Sequence, residues 1–363
     1  MEIKPFKGLN VTTMTLIARF GGKIYLDPIF CLLPITWIEM PVKKRQTKKV
    51  KIPHCKILGS LLSLRFRGFT RGIFRTASKK HFRNSITMDI STSLKNISLK
   101  LSERSIQMCG PTSVEMGQEA ITHLFRHIHT LQHFLDYMND HMEQARFTVE
   151  KLTQWTLGQE TIRVSRDVRQ YDNVLLAITE DHDDFEVIVP KEKELDQASK
   201  KYPAQFDKKI AQFLLQFCPE FAYHSQLIDN FQHILETQRV IDETLHCNHI
   251  YKAMVNYNYH LDFRVNRDHL KHVFDEAQEW TARYDPRLDH TVTLQIPYIV
   301  PPELQFMRKK GKKHCHTFMV QKSGVITQSG PDEEMMKDAY YQFMKIIGEN
   351  KAYLEKSELV PPA

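Results

Sequence analysis

His316–Gly348 reads HTFMVQKSGVITQSGPDEEMMKDAYYQFMKIIG, and two periods run through it. Apolar residues alternate with polar ones on either side of Lys322-Ser323-Gly324, the rhythm of two strands joined by a tight turn. Gly330-Pro331 ends that rhythm, and Asp332 is placed to cap a helix. Met336, Tyr340, Phe343, Met344 and Ile347 then recur at helical spacing, and Gly348 suits the helix C-terminus. The stretch reads as strand, turn, strand, helix.

Glu103–Met138, ERSIQMCGPTSVEMGQEAITHLFRHIHTLQHFLDYM, carries the same order around Gly110-Pro111. Thr112 and Glu115 have capping-box spacing, and Ile121, Leu124, Phe125, Ile128, Leu131, Leu135 and Met138 form the stripe. Superposing the two Gly-Pro pairs sets Ile106 against Ile326 and Cys109 against Ser329. Upstream, Thr12–Pro34 and Ala253–Phe274 each read as a strand leading into a short helix. LLSLRFRGFTRGIF, SITMDIS and NISLKLS add further strands to the first half. The chain therefore reads as a duplication. Residues 1–140 form a first repeat and 249–363 a second. Between them, 141–248 is an acidic, helix-rich insertion containing FDKKIAQFLLQF, HSQLIDNFQHILETQRVIDETL and TEDHDDFE, with one hairpin from DNVLLAITE and DFEVIVP. As an insertion between complete repeats it is expected to be removable.

At 363 residues, 42% apolar and 26% charged, the composition excludes a disordered or fibrous chain. The longest apolar stretch, Ile24–Ile38, is broken by Asp27, Pro28 and Pro34, too early for a bilayer span. The start MEIKPFKG has no signal-peptide pattern, and six cysteines without a CxxC predict a reducing compartment. A soluble, intracellular protein without membrane contact is expected.

The net charge of +7 is unevenly held. No acidic residue lies between Glu39 and Asp89, while Lys43, Lys44, Arg45, Lys48, Lys49, Lys51, Lys56, Arg65, Arg67, Arg71, Arg75, Lys79, Lys80 and Arg83 do. A field concentrated in this way attracts polyanions. A flexible basic loop or a localisation signal is the blander explanation, but the arginines continue into an apolar stretch that must fold.

Two halves that each end in strand, turn, strand, Gly-Pro and helix resemble the TATA-box-binding protein family. KSGVITQSGP resembles its last-strand motif, and ERSIQMCGP is a weaker counterpart. MVNYNYHLDFRVN, KHCHTFMV and QSGPDEEMMKDAYY look most like the divergent members carried by large DNA viruses of eukaryotes. The resemblance covers roughly residues 5–135 and 249–350. It implies an α+β saddle: a curved antiparallel sheet of two pseudo-symmetric repeats, long helices on the convex face, and here a largely helical insertion.

The resemblance further implies minor-groove binding to A/T-rich double-stranded promoter DNA and recruitment of RNA polymerase and general initiation factors, without catalysis or cofactor. For a viral member, the expected place is the host nucleus or a cytoplasmic viral factory, with packaging in the virion. Gln107, Cys109, Thr327 and Ser329 would face the groove. Leu101 and Gln321 stand where the family wedges phenylalanine between base steps, with Gly59 and Thr291 beside them. Thr13 and Met254 stand near the family's paired asparagines. Phosphate contacts are expected from Arg65, Arg67, Arg71 and Arg75, and from Arg308, Lys309, Lys310, Lys312 and Lys313.

Other chemistry is weighed on the same residues. His123/His127 and His129/His133 have i, i+4 spacing without an HExxH pattern, so helix-surface histidines are expected and no metal. His246, Cys247 and His249 with His314, Cys315 and His316 match no zinc spacing, and Asp183, Asp184 and Glu186 read as a solvated loop. Walker, dinucleotide and nucleophile-elbow patterns are missing. Tyr257 and Tyr259 share a face, either toward bases or toward the core, with Asn256 and Asn258 on the other. The alternatives to promoter binding are a protein-interaction adaptor on the same fold and a metal-dependent nucleic-acid enzyme.

Overall fold

The computed structural model describes residues 5–36, 38, 53–73, 82–157, 192–216, 224–300, 314–331 and 333–355. Contacts gather these into two compact units. One comprises Ala18–Gln107 and Glu115–His249, here called the first unit; the other comprises Met1–Ile17, Met108–Val114 and Ile250–Ala363. The division runs through three strands and assigns the insertion to the first unit, unlike the boundaries read from the sequence. The protein is α+β.

The first unit holds the end of β1 (Val11–Phe20), then α1 (Leu26–Leu32), β2 (Leu61–Phe66), β3 (Phe69–Gly72), β4 (Ile86–Ser91), β5 (Asn96–Ser102) and β6 (Ser105–Cys109). Its strand order is β3-β2-β4-β5-β6, with antiparallel pairing of β2 to β3, β2 to β4 and β4 to β5. Alternation decides its faces. Ile86, Met88 and Ile90 of β4, with Ile97, Leu99 and Leu101 of β5, are all fully buried. They share a core with the stripe of α2 (Val114–Asp140), where Phe125 meets Phe20 edge-on at 5.4 Å. The helix begins two residues after Thr112, one later than the predicted cap requires.

The second unit holds most of β1, with β7 (Cys247–His260), α7 (Arg267–Glu276), β8 (Thr281–Arg283), β9 (Thr291–Pro297), β10 (Cys315–Gln321), β11 (Val325–Gly330), α8 (Glu333–Glu349) and α9 (Lys351–Leu354). Its order is β1-β7-β11-β10-β9-β8. Phe318 stacks on Phe343 at 4.7 Å, and Trp280 packs against Phe318 and Phe274 at 5.3 and 4.9 Å. Phe6 closes the other end against Tyr257 and Tyr340 at 4.9 and 5.3 Å. Gly324 bears a φ of +85°, and a Cβ there would stand 2.6 Å from the Phe263 carbonyl. The Ser-Gly turn therefore admits only glycine at that position.

Both halves run strand, short helix, further strands, long helix. The order β2-β4-β5-β6 in one matches β8-β9-β10-β11 in the other, with β3 as an extra edge strand.

Within the first unit the insertion contributes α3 (Met142–Leu157), α4 (Glu192–Lys201), α5 (Lys208–Leu215) and α6 (His224–Glu236). Phe134 of α2 stacks on Phe213 at 3.6 Å. The chain after α6 returns along the unit as a strap. Gln132 Oε1 accepts from the Val240 and Ile241 amides at 2.8 and 3.2 Å, Tyr25 N donates to Val240 O at 2.9 Å, and Gly21 N donates to His246 O. Val240 is fully buried. The return strap is thus hydrogen-bonded into the unit.

Gln132→Met keeps the volume and removes the acceptor from two partly buried amides. It is expected to cost about 1–3 kcal/mol, read as a lower midpoint in denaturant unfolding. Replacing 141–246 by a linker should destabilise the first unit far more than replacing 158–191 alone.

Candidate nucleic-acid interface

In each unit one sheet face is buried and the other is open, and register sorts the open side chains into cross-strand rows. In the second unit Thr281, Gln295, Thr317, Ser329 and Asn256 lie opposite one another on β8, β9, β10, β11 and β7. The Gln295 amide donates to Thr317 Oγ1 and the Asn256 amide to Thr13 Oγ1, both at 3.4 Å. The next row is Arg283, Thr293, Met319, Thr327 and Asn258. Beyond it, Gln321 faces Thr291 and Val325 faces His260. An open concavity of about 600 Å³ lies beside the first row, bordered by Met254, Tyr298, His314 and Cys315. Arg283 is the one full charge in these rows. Short hydroxyl and amide side chains both donate and accept, and they allow a partner to approach the sheet closely.

The first unit's face differs, and it is open only in part, since Gly72 and Ser63 on it are buried. Thr70, Arg65, Thr87 and Lys100 form one row across β3, β2, β4 and β5; Gly72, Ser63, Asp89 and Ser98 form the next. Ser63 Oγ donates to Asp89 Oδ2 at 2.9 Å. Lys100 Nζ lies 3.3 Å over the ring centroid of the exposed Phe82.

The sequence-derived candidates fall into three groups. Gln107, Cys109, Thr327 and Ser329 lie on open faces, as do Arg65, Thr13, Met254, Gln321 and Thr291. Leu101 does not. It has no exposed surface and lies in phase with Ile97 and Leu99, so it cannot enter a base step. Gly59 lies against the His123 ring of α2 and so does not stand beside a wedge. The exposed apolar side chain on β10 is Met319, two residues before Gln321. Arg71 is also corrected: its guanidinium donates to the Phe30 carbonyl and, at 2.9 Å, to that of Leu33, satisfying the end of α1 instead of reaching outward. Arg67 sits in the β2–β3 turn at φ +47° and pairs with Asp27 at 2.7 Å, so its charge is already balanced. Arg75, Arg308, Lys309, Lys310, Lys312 and Lys313 lie outside the described residues, as do Asp183, Asp184 and Glu186.

Tyr257 and Tyr259 are buried against Phe6 and Tyr340, which turns Asn256 and Asn258 outward. Sequence reasoning missed Ser63, Asp89, Thr293 and Met319. The alternation within ITMDIS and HTFMVQ places Asp89 and Met319 on the polar phase and carries that signal.

The histidines serve the fold. His127 Nε2 lies 2.7 Å from the Gly59 carbonyl, and burial holds its pKa below the ordinary value. His129 Nε2 accepts from the Leu245 amide at 3.0 Å, and burial with neighbouring His133 lowers its pKa too. His316 is buried, with its ring 4.6 Å from that of Tyr298. Among the described residues no group of three or more His, Cys, Asp or Glu is arranged to hold a metal ion, and no helix is long and apolar enough to cross a membrane.

A histidine with a depressed folded pKa binds its proton more readily when unfolded. Stability from His127 and His129 is therefore present above about pH 6.5 and is lost as pH falls below it toward the folded values. Denaturation midpoints should drop between pH 7.5 and 5.5, and the double variant His127→Gln/His129→Gln should flatten that slope.

No family model matches the chain, and no curated protein matches it. Among solved structures it is similar to Methanococcus jannaschii TBP, at 9% identity over 94% of this chain and 98% of that one, with a TM-score of 0.33.

Proposed function

We propose that the chain is a DNA-binding transcription initiation factor of the TATA-box-binding kind. It lays the open faces of two saddle repeats along the minor groove of A/T-rich promoter DNA. The observation that carries this reading is the row Thr281, Gln295, Thr317, Ser329 and Asn256. An A·T minor groove offers only acceptors, at adenine N3 and thymine O2. Hydroxyl and amide groups supply donors without the length that would hold the sheet away. Met319 adds an apolar contact of the kind that can enter a base step. The basic segment from Lys43 to Arg83 supplies phosphate affinity without sequence preference. The shared strand order of the halves supports two repeats. The long helices and the insertion then serve to recruit polymerase and initiation factors, and the protein acts by binding, not catalysis.

One observation favours the adaptor instead. Asp89 places a carboxylate on the first unit's open face, and Arg67 and Arg71 are engaged within the fold. Binding to A/T-rich and G/C-rich duplexes across a salt series separates the two.

The proposed factor binds the A/T-rich duplex more tightly, with affinity falling steeply as salt rises. Thr317→Glu should leave the melting temperature unchanged and weaken duplex binding at least about tenfold, since it sets a carboxylate against acceptors and phosphates. Fluorescence anisotropy reads this. Equal affinity for both duplexes, or an unaffected variant, would favour the adaptor.

A further inference from the structure

We propose that Asp89 accepts a hydrogen bond from the exocyclic amino group of a guanine, so that the site read by the first half contains a G·C pair within an A/T-rich sequence. This rests on the function proposed above.

Asp89 stands on β4 in the row Gly72, Ser63, Asp89, Ser98, where Gly72 and Ser63 are buried and Asp89 and Ser98 are half-exposed. Its neighbours are a glycine and two serines, so the carboxylate is the tallest group in its row. Ser63 is fully buried and donates to Oδ2 at 2.9 Å, which fixes the carboxylate and leaves Oδ1 for a partner. The register between β2 and β4 shifts between Leu61 and Ser63, an irregularity that sets this serine under the acid. Arg65 and Lys100, in the adjacent row on either side of Thr87, are two residues along the strands from Asp89's own neighbours. They bring positive charge beside the acid without occupying its row.

The chemistry of the groove decides what such a group can read. A·T and T·A pairs present acceptors alone, while G·C adds the guanine N2 amino donor. A carboxylate at neutral pH accepts and does not donate. Over A·T it loses water and meets lone pairs; over guanine it gains a charge-assisted hydrogen bond. The rows of the second unit contain no carboxylate, so this discrimination is confined to one half.

The test uses the full chain and a panel of duplexes: A·T throughout, one G·C pair stepped through the site, and the same series with inosine, which lacks the N2 amino group. One G·C position should tighten binding about tenfold over the A·T parent, and the inosine·cytosine duplex should lose that gain. Asp89→Asn, which can still accept from Ser63, should bring the three within about twofold and bind the A·T parent better than wild type. Equal binding of guanine and inosine duplexes at every position overturns the proposal. If, in addition, an arginine-rich peptide binds wild type and not Asp89→Asn, the carboxylate serves a protein partner. No duplex binding even at low salt would instead refute the function proposed above, and this inference with it.

Discussion

Gln328 has no exposed surface, and its amide is satisfied at both ends. Oε1 accepts from the Tyr259 hydroxyl at 3.2 Å and Nε2 donates to the Met336 carbonyl at 3.0 Å. Burial holds the Tyr259 pKa well above its ordinary value, so the phenol keeps the proton that it donates. This tie joins β7, β11 and the first turn of α8, and it fixes the phase of both strands. A slip of one residue on β11 would expose Ile326 and Gln328, bury Thr327 and Ser329, and leave the buried Tyr259 hydroxyl without its acceptor. The composition of the open face is therefore a consequence of what the covered face demands.

Charge along the chain is not charge on a face. Arg71 and Arg67 belong to the same acid-free segment as Arg65, yet each is claimed by α1: one by its last carbonyls, the other by Asp27 in its first turn. A planar fork of donors suits the end of a helix as well as it suits a phosphate. Composition cannot separate these uses, because the carbonyls at issue belong to residues some 40 positions away in sequence. Asp89, the acid that ends this segment, likewise gives no sign by its charge alone that it stands opposite Ser63.

Periodicity carried most of what was legible. The two Gly-Pro breaks, the alternating strands around them and the apolar stripes of α2 and α8 all stand where the sequence puts them. So do the outward phases of Gln107, Cys109, Thr327 and Ser329. Leu101 went astray because its role came from a resemblance, whereas NISLKLS itself sets Leu101 in phase with Ile97 and Leu99. Tyr257 against Asn256 was a tie at the level of β7 alone; Phe6 and Tyr340 broke it from distant parts of the chain. The strap followed no local pattern, since Gln132 and Val240 meet only through tertiary packing.

Threonine is the commonest residue on the open face of the second unit: Thr281, Thr291, Thr293, Thr317 and Thr327. A β-branched side chain on a strand has one restricted torsion and little rotamer freedom left to lose. Surfaces made of lysine or glutamine give up about 0.5–1.5 kcal/mol for each side chain that binding immobilises. The threonines are set before any partner arrives, so the contacts they make hardly need to be ordered, unlike those of Arg283, Gln295, Met319 and Gln321 on the same face. Where the threonines make the contact, the choice among partners falls to shape, because stiff, short side chains cannot rearrange to rescue a poor fit.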